Sequence, residues 1–248
     1  MLKASKFSGA SQIPEFLRTH PLSENRIADA RNRARDYPEV DSQPSLAYHL
    51  VRARTINQLK ISNEDSISYF RAALKDGVLL QDAMYYGLVL SLTKSGRAIE
   101  AKSALEPLIK KDPDRIEYVI ADAEIDLLEN RSNQAAEKLK KRLSISPRSH
   151  PLTMAYAKAL VHNDQAHIAE EILIEQSEIK STDPGLWHLL AETQGLAGNI
   201  IGLHESRAEF FILNGNLDQA EKQLNYAIEL SKNNYQKSEI LYQRLKDI

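Results

Sequence analysis

Residues 82–115 read DAMYYGLVLSLTKSGRAIEAKSALEPLIKKDPDR, and the fold follows from how this stretch recurs. Tyr85, Leu88 and Leu92 stand three and four residues apart, which lines them along one face of a helix. Lys94-Ser95-Gly96-Arg97 breaks the pattern, Ala101, Leu105 and Leu108 resume it on a second helix, and Asp112-Pro113 closes the unit. Each helix has an apolar stripe on one side only, so neither is stable without a neighbour to cover it. The neighbours are further copies. Gly96, Ala101, Leu105 and Pro113 are each followed 34 residues later by Asn130, Ala135, Leu139 and Pro147. After another 34 residues come Asp164, Ala169 and Leu173, with Ser181 in the proline position and Pro184 nearby.

A fixed period of this size with two helices per period predicts an all-α solenoid. The units resemble the tetratricopeptide repeat: Tyr85, Leu88, Leu92, Gly96, Ala101, Leu105, Leu108 and Pro113 fall at its expected positions. Val89 departs from that pattern, because a small residue usually lets the two helices touch there. Asp122 and Asp126 depart too, since they take slots that are normally apolar. The resemblance implies a right-handed superhelical solenoid of helix pairs.

Composition agrees with this class. The 248 residues are 42% hydrophobic and 27% charged, with 9 Gly, 9 Pro and 6% aromatics, which favours helices over a sheet-rich fold. The formal net charge of −2 offers no global field for nucleic acid, so nucleic-acid binding is not expected. With no cysteine, disulfides and thiolate metal sites are excluded. No apolar run approaches the ~18–20 residues that span a bilayer, and Met1 to Phe7 lacks the apolar stretch of a signal peptide.

The rest of the chain extends the array. Ser11 to Arg18 predicts a short helix, interrupted at Thr19-His20-Pro21-Leu22. Ser23 caps a second helix that runs to about Asp36, with Arg26, Arg31, Arg33 and Arg35 outward and Ile27, Ala30 and Ala34 as a thin stripe. Residues 38–44 are a linker by composition. Leu46, Leu50, Ala53 and Ile56, then Ile67, Phe70, Ala73 and Leu74, form a divergent first pair. Asp183 caps and Pro184 opens a helix after the third in-phase unit. The phase then changes, because Ala169 and Ala220 are one and a half periods apart. A helix over about 200–213 is expected to pack with both its predecessor and its successor. The last helix, from Tyr235, is expected to turn Ile240, Leu241 and Leu245 inward and to cap the array.

No catalytic constellation is present. The seven histidines include no His-Glu-x-x-His, and His162 and His167, five apart, do not share a helix face. His49, His150, His167 and His204 read as surface or interhelical groups. There is no Gly-x-Ser-x-Gly and no phosphate-cradling glycine loop.

The N-terminal segment adds a more specific resemblance. Residues 13–21, IPEFLRTHP, followed by Arg26-Ile27-Ala28-Asp29-Ala30, are similar to the closing part of the protease domain in Ste24-type zinc metallopeptidases. The relatives that join this segment to a tetratricopeptide region are the periplasmic beta-barrel assembly-enhancing proteases of Gram-negative bacteria. The resemblance implies that residues 1–37 are a remnant of the protease domain and residues 45–248 the solenoid. It also implies a parent zinc metalloendopeptidase acting in outer-membrane protein assembly and quality control, with the His-Glu-x-x-His helix upstream of Met1. Zinc would belong to the parent and not to this chain. His20, in the Thr-His-Pro turn, would be a regulatory zinc ligand there. Assembly machinery, unfolded barrel clients and the upstream protease domain are the implied partners. The alternative is a stand-alone tetratricopeptide adaptor without protease activity.

The first helices of such an array line its concave, partner-binding side. Counting from the register, the candidate groove residues are Tyr86, Leu90, Glu117, Ile120, Glu124, Met154, Lys158, Val161, His188 and Glu192. Tyr86, Ile120 and Val161 serve equally as packing residues. A clamp for a chaperone C-terminal carboxylate needs basic and amide groups at these slots. Tyr86, Leu90, Ile120 and Glu124 stand there instead, so that mode is not expected.

Overall fold

A computed structural model describes residues 23–37, 45–60, 62–77 and 80–248. The expected helix over 11–18, His20 and its turn, and the 38–44 linker lie outside the described residues. The chain divides into two compact units, Met1–Pro44 and Ser45–Ile248. In the first, the described element is α1, Ser23–Ala34, two residues shorter than expected.

The second unit is a helical solenoid of tetratricopeptide-type pairs, all-α throughout its described residues. Its helices are α2 (Leu46–Leu59), α3 (Asn63–Asp76), α4 (Gln81–Lys94), α5 (Ala98–Lys111), α6 (Ile116–Leu128) and α7 (Ser132–Ile145), then α8 (His150–His162), α9 (Ala166–Ile179), α10 (Pro184–Ala197), α11 (Ile200–Leu213), α12 (Leu217–Leu230) and α13 (Tyr235–Lys246). Each helix packs on its sequence neighbours, and the first helices also pack on one another in the series α2, α4, α6, α8, α10.

One turn geometry punctuates the pairs. Gly96, Asn130, Asp164 and Gly198 all adopt the left-handed conformation, with φ of 72°, 57°, 56° and 80°. The next residue's N–H then donates back to the helix, as in Arg97 to Leu92, Arg131 to Asp126, Gln165 to Leu160 and Asn199 to Gln194, at 2.8–2.9 Å. The register Gly96, Asn130, Asp164 is therefore a register of turns: glycine meets the positive φ without strain, and Asn and Asp are the side chains that best tolerate it.

The core runs in three clusters. One joins α2 to α6 around Leu50, Phe70, Tyr86, Leu92, Leu105 and Ile125. A second joins α6 to α10 around Leu139, Leu152, Leu160, Leu173 and Leu190. The third, Ala208, Leu224, Ala227, Ile228 and Leu241, belongs to α11–α13. Each fully buried leucine contributes roughly 2 kcal/mol of apolar transfer. Gly87, two positions before Val89, serves a different contact: a Cβ there would collide with the Phe70 ring, so Gly87 is where α4 comes down on α3 of the preceding pair.

Asp122 and Asp126 keep their polar chemistry by pairing across their own repeat. Lys138 of α7 bonds Asp122 and, at 2.5 Å, Asp126, while Arg131 reaches Asp126 at 2.5 Å and also pairs with Glu129. Burial alone would raise the Asp126 carboxyl, but the Lys138 and Arg131 hydrogen bonds outweigh it and hold it below the usual range.

At the far end, α11 packs on α10 and on α12, as the shifted phase predicts. Helix starts nevertheless keep the period: α10 begins 34 residues after α8, and α11 begins 34 after α9. What moves is the turn. Gly215, with φ 72° and Asn216 N–H donating to Phe211 at 2.9 Å, repeats the within-pair turn half a period after Gly198. Helix α11 thus follows α10 as a second helix and precedes α12 as a first. The terminal helix corrects one expectation: Leu241 is buried, but Ile240 is exposed, because among the described helices α13 packs on α12 alone and buries only the one stripe facing it.

Candidate functional site

Two adjoining pockets open on the face built by the first helices. One, of about 510 Å³, is lined by Arg54, Asn57 and Gln58 of α2, Leu90 and Lys94 of α4, Ile120 and Glu124 of α6, and His150, Pro151, Met154, Ala155 and Lys158 of α8. All of its lining comes from first helices, since their mutual packing leaves this face uncovered by the second ones. The other, of about 610 Å³, shares Arg54, Ile120 and Pro151 and adds Tyr86, Glu117, Arg115 and Arg142 among others.

Seven of the ten residues expected from the register line these pockets: Tyr86, Glu117 and Ile120 in the larger, Leu90, Glu124, Met154 and Lys158 with Ile120 again in the smaller. Tyr86 is first of all a packing residue, 1% exposed, its ring 6.1 Å from that of Tyr118 and its hydroxyl accepting from Arg54 Nη2 at 2.7 Å. Val161 packs against the second core cluster. His188 and Glu192 lie on α10, outside both pockets, with Nδ1 and Oε2 3.6 Å apart and the His188 ring edge-on to Phe210.

The register missed Arg54, Asn57, Gln58 and Lys94. Three stand on α2, whose sequence is too divergent to index against the in-phase units, and Lys94 stands at the end of α4 where the pattern breaks. Asn57 Nδ2 donates to Ser91 Oγ at 2.6 Å, and Ser91 Oγ donates to the Gly87 carbonyl at 2.8 Å, a buried relay that ties α2 to α4. The basic and amide groups whose absence argued against carboxylate capture are therefore present on this face.

Charge in the smaller pocket is arranged around Glu124. Burial pushes its carboxyl above the usual range, and Arg54 and Lys158 only partly oppose that. Among the described residues no hydrogen bond reaches it. His150 is engaged elsewhere: its Nε2 lies 2.7 Å from Asp183 Oδ2, and Asp183 Oδ1 caps α10 by accepting from Gly185 N–H at 2.8 Å. His204, likewise, bonds Gln223 across helices at 2.8 Å. No group of three or more His, Cys, Asp or Glu residues among the described residues is placed to hold a metal ion, so these residues do not fit a zinc site. No described helix is long and apolar enough to cross a membrane.

No family model matches the chain. It is 32% identical over 229 residues to the beta-barrel assembly-enhancing protease of Escherichia coli K12, covering 92% of this chain and 46% of that protein. It is 32% identical over 219 residues to the putative beta-barrel assembly-enhancing protease of Vibrio cholerae, covering 88% of this chain and 45% of that one. The chain thus spans about half the length of the curated relatives it matches. Among solved structures, a tetratricopeptide repeat protein from Parabacteroides merdae overlays with a TM-score of 0.49 at 13% identity, covering 88% of this chain and 89% of that one. By its own helix pairs and by these relatives, the chain is a tetratricopeptide region similar to part of the beta-barrel assembly-enhancing proteases.

Proposed function

We propose that this chain is the protein-interaction scaffold of a zinc metalloendopeptidase that acts in outer-membrane protein assembly and quality control in the periplasm. One observation carries the reading: a chain similar over 92% of its length to a beta-barrel assembly-enhancing protease presents a groove lined by four successive first helices. Assembly machinery or unfolded barrel clients dock there in a chaperone-like role, and the catalysis resides in a protease domain outside these residues. Residues 1–37 are the remnant of that domain and 38–44 the linker.

The test is photo-crosslinking in cells from Leu90, Met154 and Lys158. Adducts with envelope proteins at these positions, and none from Tyr226 on α12, are the expected result. Adducts that form equally from Tyr226 would remove the groove from the mechanism. His20 is proposed as a regulatory ligand of the parent enzyme's zinc. His20→Ala in the full-length protease then raises basal proteolysis, and unchanged activity removes that role.

A further inference from the structure

The groove's charges are unbalanced. Arg54, Lys94 and Lys158 reach it from α2, α4 and α8, against the single carboxylate of Glu124. Among the described residues none of these three cations lies within ion-pair distance of a carboxylate. Other cations of the same solenoid do have carboxylate partners, as in Arg71–Glu100 and Lys111–Asp82. Arg54 spends its hydrogen bond on the neutral hydroxyl of Tyr86. His150 faces the groove too, but its Nε2 is held by Asp183. Between the cations lies an apolar floor of Leu90, Ile120 and Met154.

We propose that this groove takes an acidic peptide segment, an extended stretch that sets carboxylates against Lys94, Lys158 and Arg54 and an apolar side chain on the floor between them. The inference rests on reading the groove as a docking surface and adds the chemistry of its occupant. The cations stand at the exposed rim, where they steer an anionic segment and fix its register at little desolvation cost. Glu124 sits lower and repels any carboxylate placed directly over the floor, so it restricts acids to the flanks. Three interhelical steps of about 9 Å make the groove about 27 Å long, which about eight extended residues cover.

The experiment uses the whole 248-residue chain and fluorescein-labelled nonapeptides with capped ends. All share one leucine and one phenylalanine and differ in carrying two aspartates, two asparagines or two lysines. A fourth peptide, the asparagine one with a free C-terminal carboxylate, separates terminal from side-chain acids. Fluorescence anisotropy at low salt should show the aspartate peptide binding about tenfold tighter than the asparagine peptide. That gap should narrow as salt rises and reverse toward the lysine peptide in Lys94→Glu/Lys158→Glu. Both lysines are exposed, so the variant keeps the fold, and circular dichroism checks it. Equal binding of the three capped peptides, or preference for lysine in the unmodified chain, would overturn the acidic occupant while leaving the docking surface standing. Binding by none of them overturns it as well, and the crosslinks from Leu90 and Met154 then decide the docking reading separately.

Discussion

The solenoid from α4 to α9 and its end from α10 to α13 are built from the same helices and turns, yet they are ordered differently. In the first stretch the left-handed turn residues Gly96, Asn130 and Asp164 occur once per period, and helices alternate between an inner and an outer row. At the end, Gly198 and Gly215 place two such turns only half a period apart. Helix α11 is clasped on both sides, and on the α10 side Gly195 and Gly202 leave room for the contact. A Cβ on Gly195 would stand 2.8 Å from Leu203, and one on Gly202 2.6 Å from Asn199 and Gln194. The buried Ser206 hydroxyl donates to Gln194 Oε1 at 2.7 Å across the same contact. A repeat array can therefore change phase without losing a helix, provided the turn is repeated early and glycines leave room for the neighbouring helix's side chains. The cost is a smaller core: five buried apolar residues hold α11–α13 together, whereas the clusters before them run across several repeats.

The largest effect expected from this contrast is in the two cores. Leu139→Ala, in the continuous array, should lower stability by about 3 kcal/mol and shift the whole denaturant transition. Leu241→Ala at the end should cost about 2 kcal/mol, with hydrogen exchange rising in α12 and α13 alone. If both variants raise exchange uniformly, the end is not a separate unit.

Next is the ion-pair network, which the end lacks at the corresponding slots. Asp126→Asn should cost about 2 kcal/mol at neutral pH, because the 6%-exposed carboxylate accepts from both Lys138 and Arg131. Since the folded carboxyl is held below its usual range, this contribution is present above the unfolded-state value of about 4 and disappears as pH falls through the folded value. Urea titrations at neutral and acid pH should therefore show the gap between variant and parent closing below about pH 4. A gap independent of pH would mean the network is not ionic.

The turns supply two smaller tests. Gly96→Ala and Gly215→Ala, both at positive φ with open space around the missing Cβ, should each cost about 1 kcal/mol if the early turn is the same device as the periodic one. Unequal losses in thermal melts would separate them. Asn130→Gly should gain about 0.5 kcal/mol, the smallest effect, because glycine relieves the residual strain at φ 57°.

Much of this architecture was legible beforehand for a physical reason. Apolar spacing reports which face of a helix is buried, and Ala101, Ala135 and Ala169 are fully buried where the register puts them. The Asp183 cap, the helix at Ile200–Leu213 and its double packing also follow from local chemistry. Site residues were less legible. Leu90, Glu124 and Lys158 share one position along their repeats, and Tyr86, Ile120 and Met154 share another, so the 34-residue register finds them all. Arg54 and Lys94 share none, and only the packing of α2 on α4 brings them to the same pocket. Gly87 has no slot of its own in the repeat pattern, because its constraint comes from Phe70 of the preceding pair.

The sequence by itself determined the helices, their period, the turn residues and the half-period slip, because each depends on side chains close together along the chain. Tertiary structure alone decided where Asp122 and Asp126 find their counter-charges, which glycines admit a neighbouring helix, and that three cations from α2, α4 and α8 border one groove. Those are mostly relations between residues on different helices, set by how helices pack, and no periodicity within one helix records them.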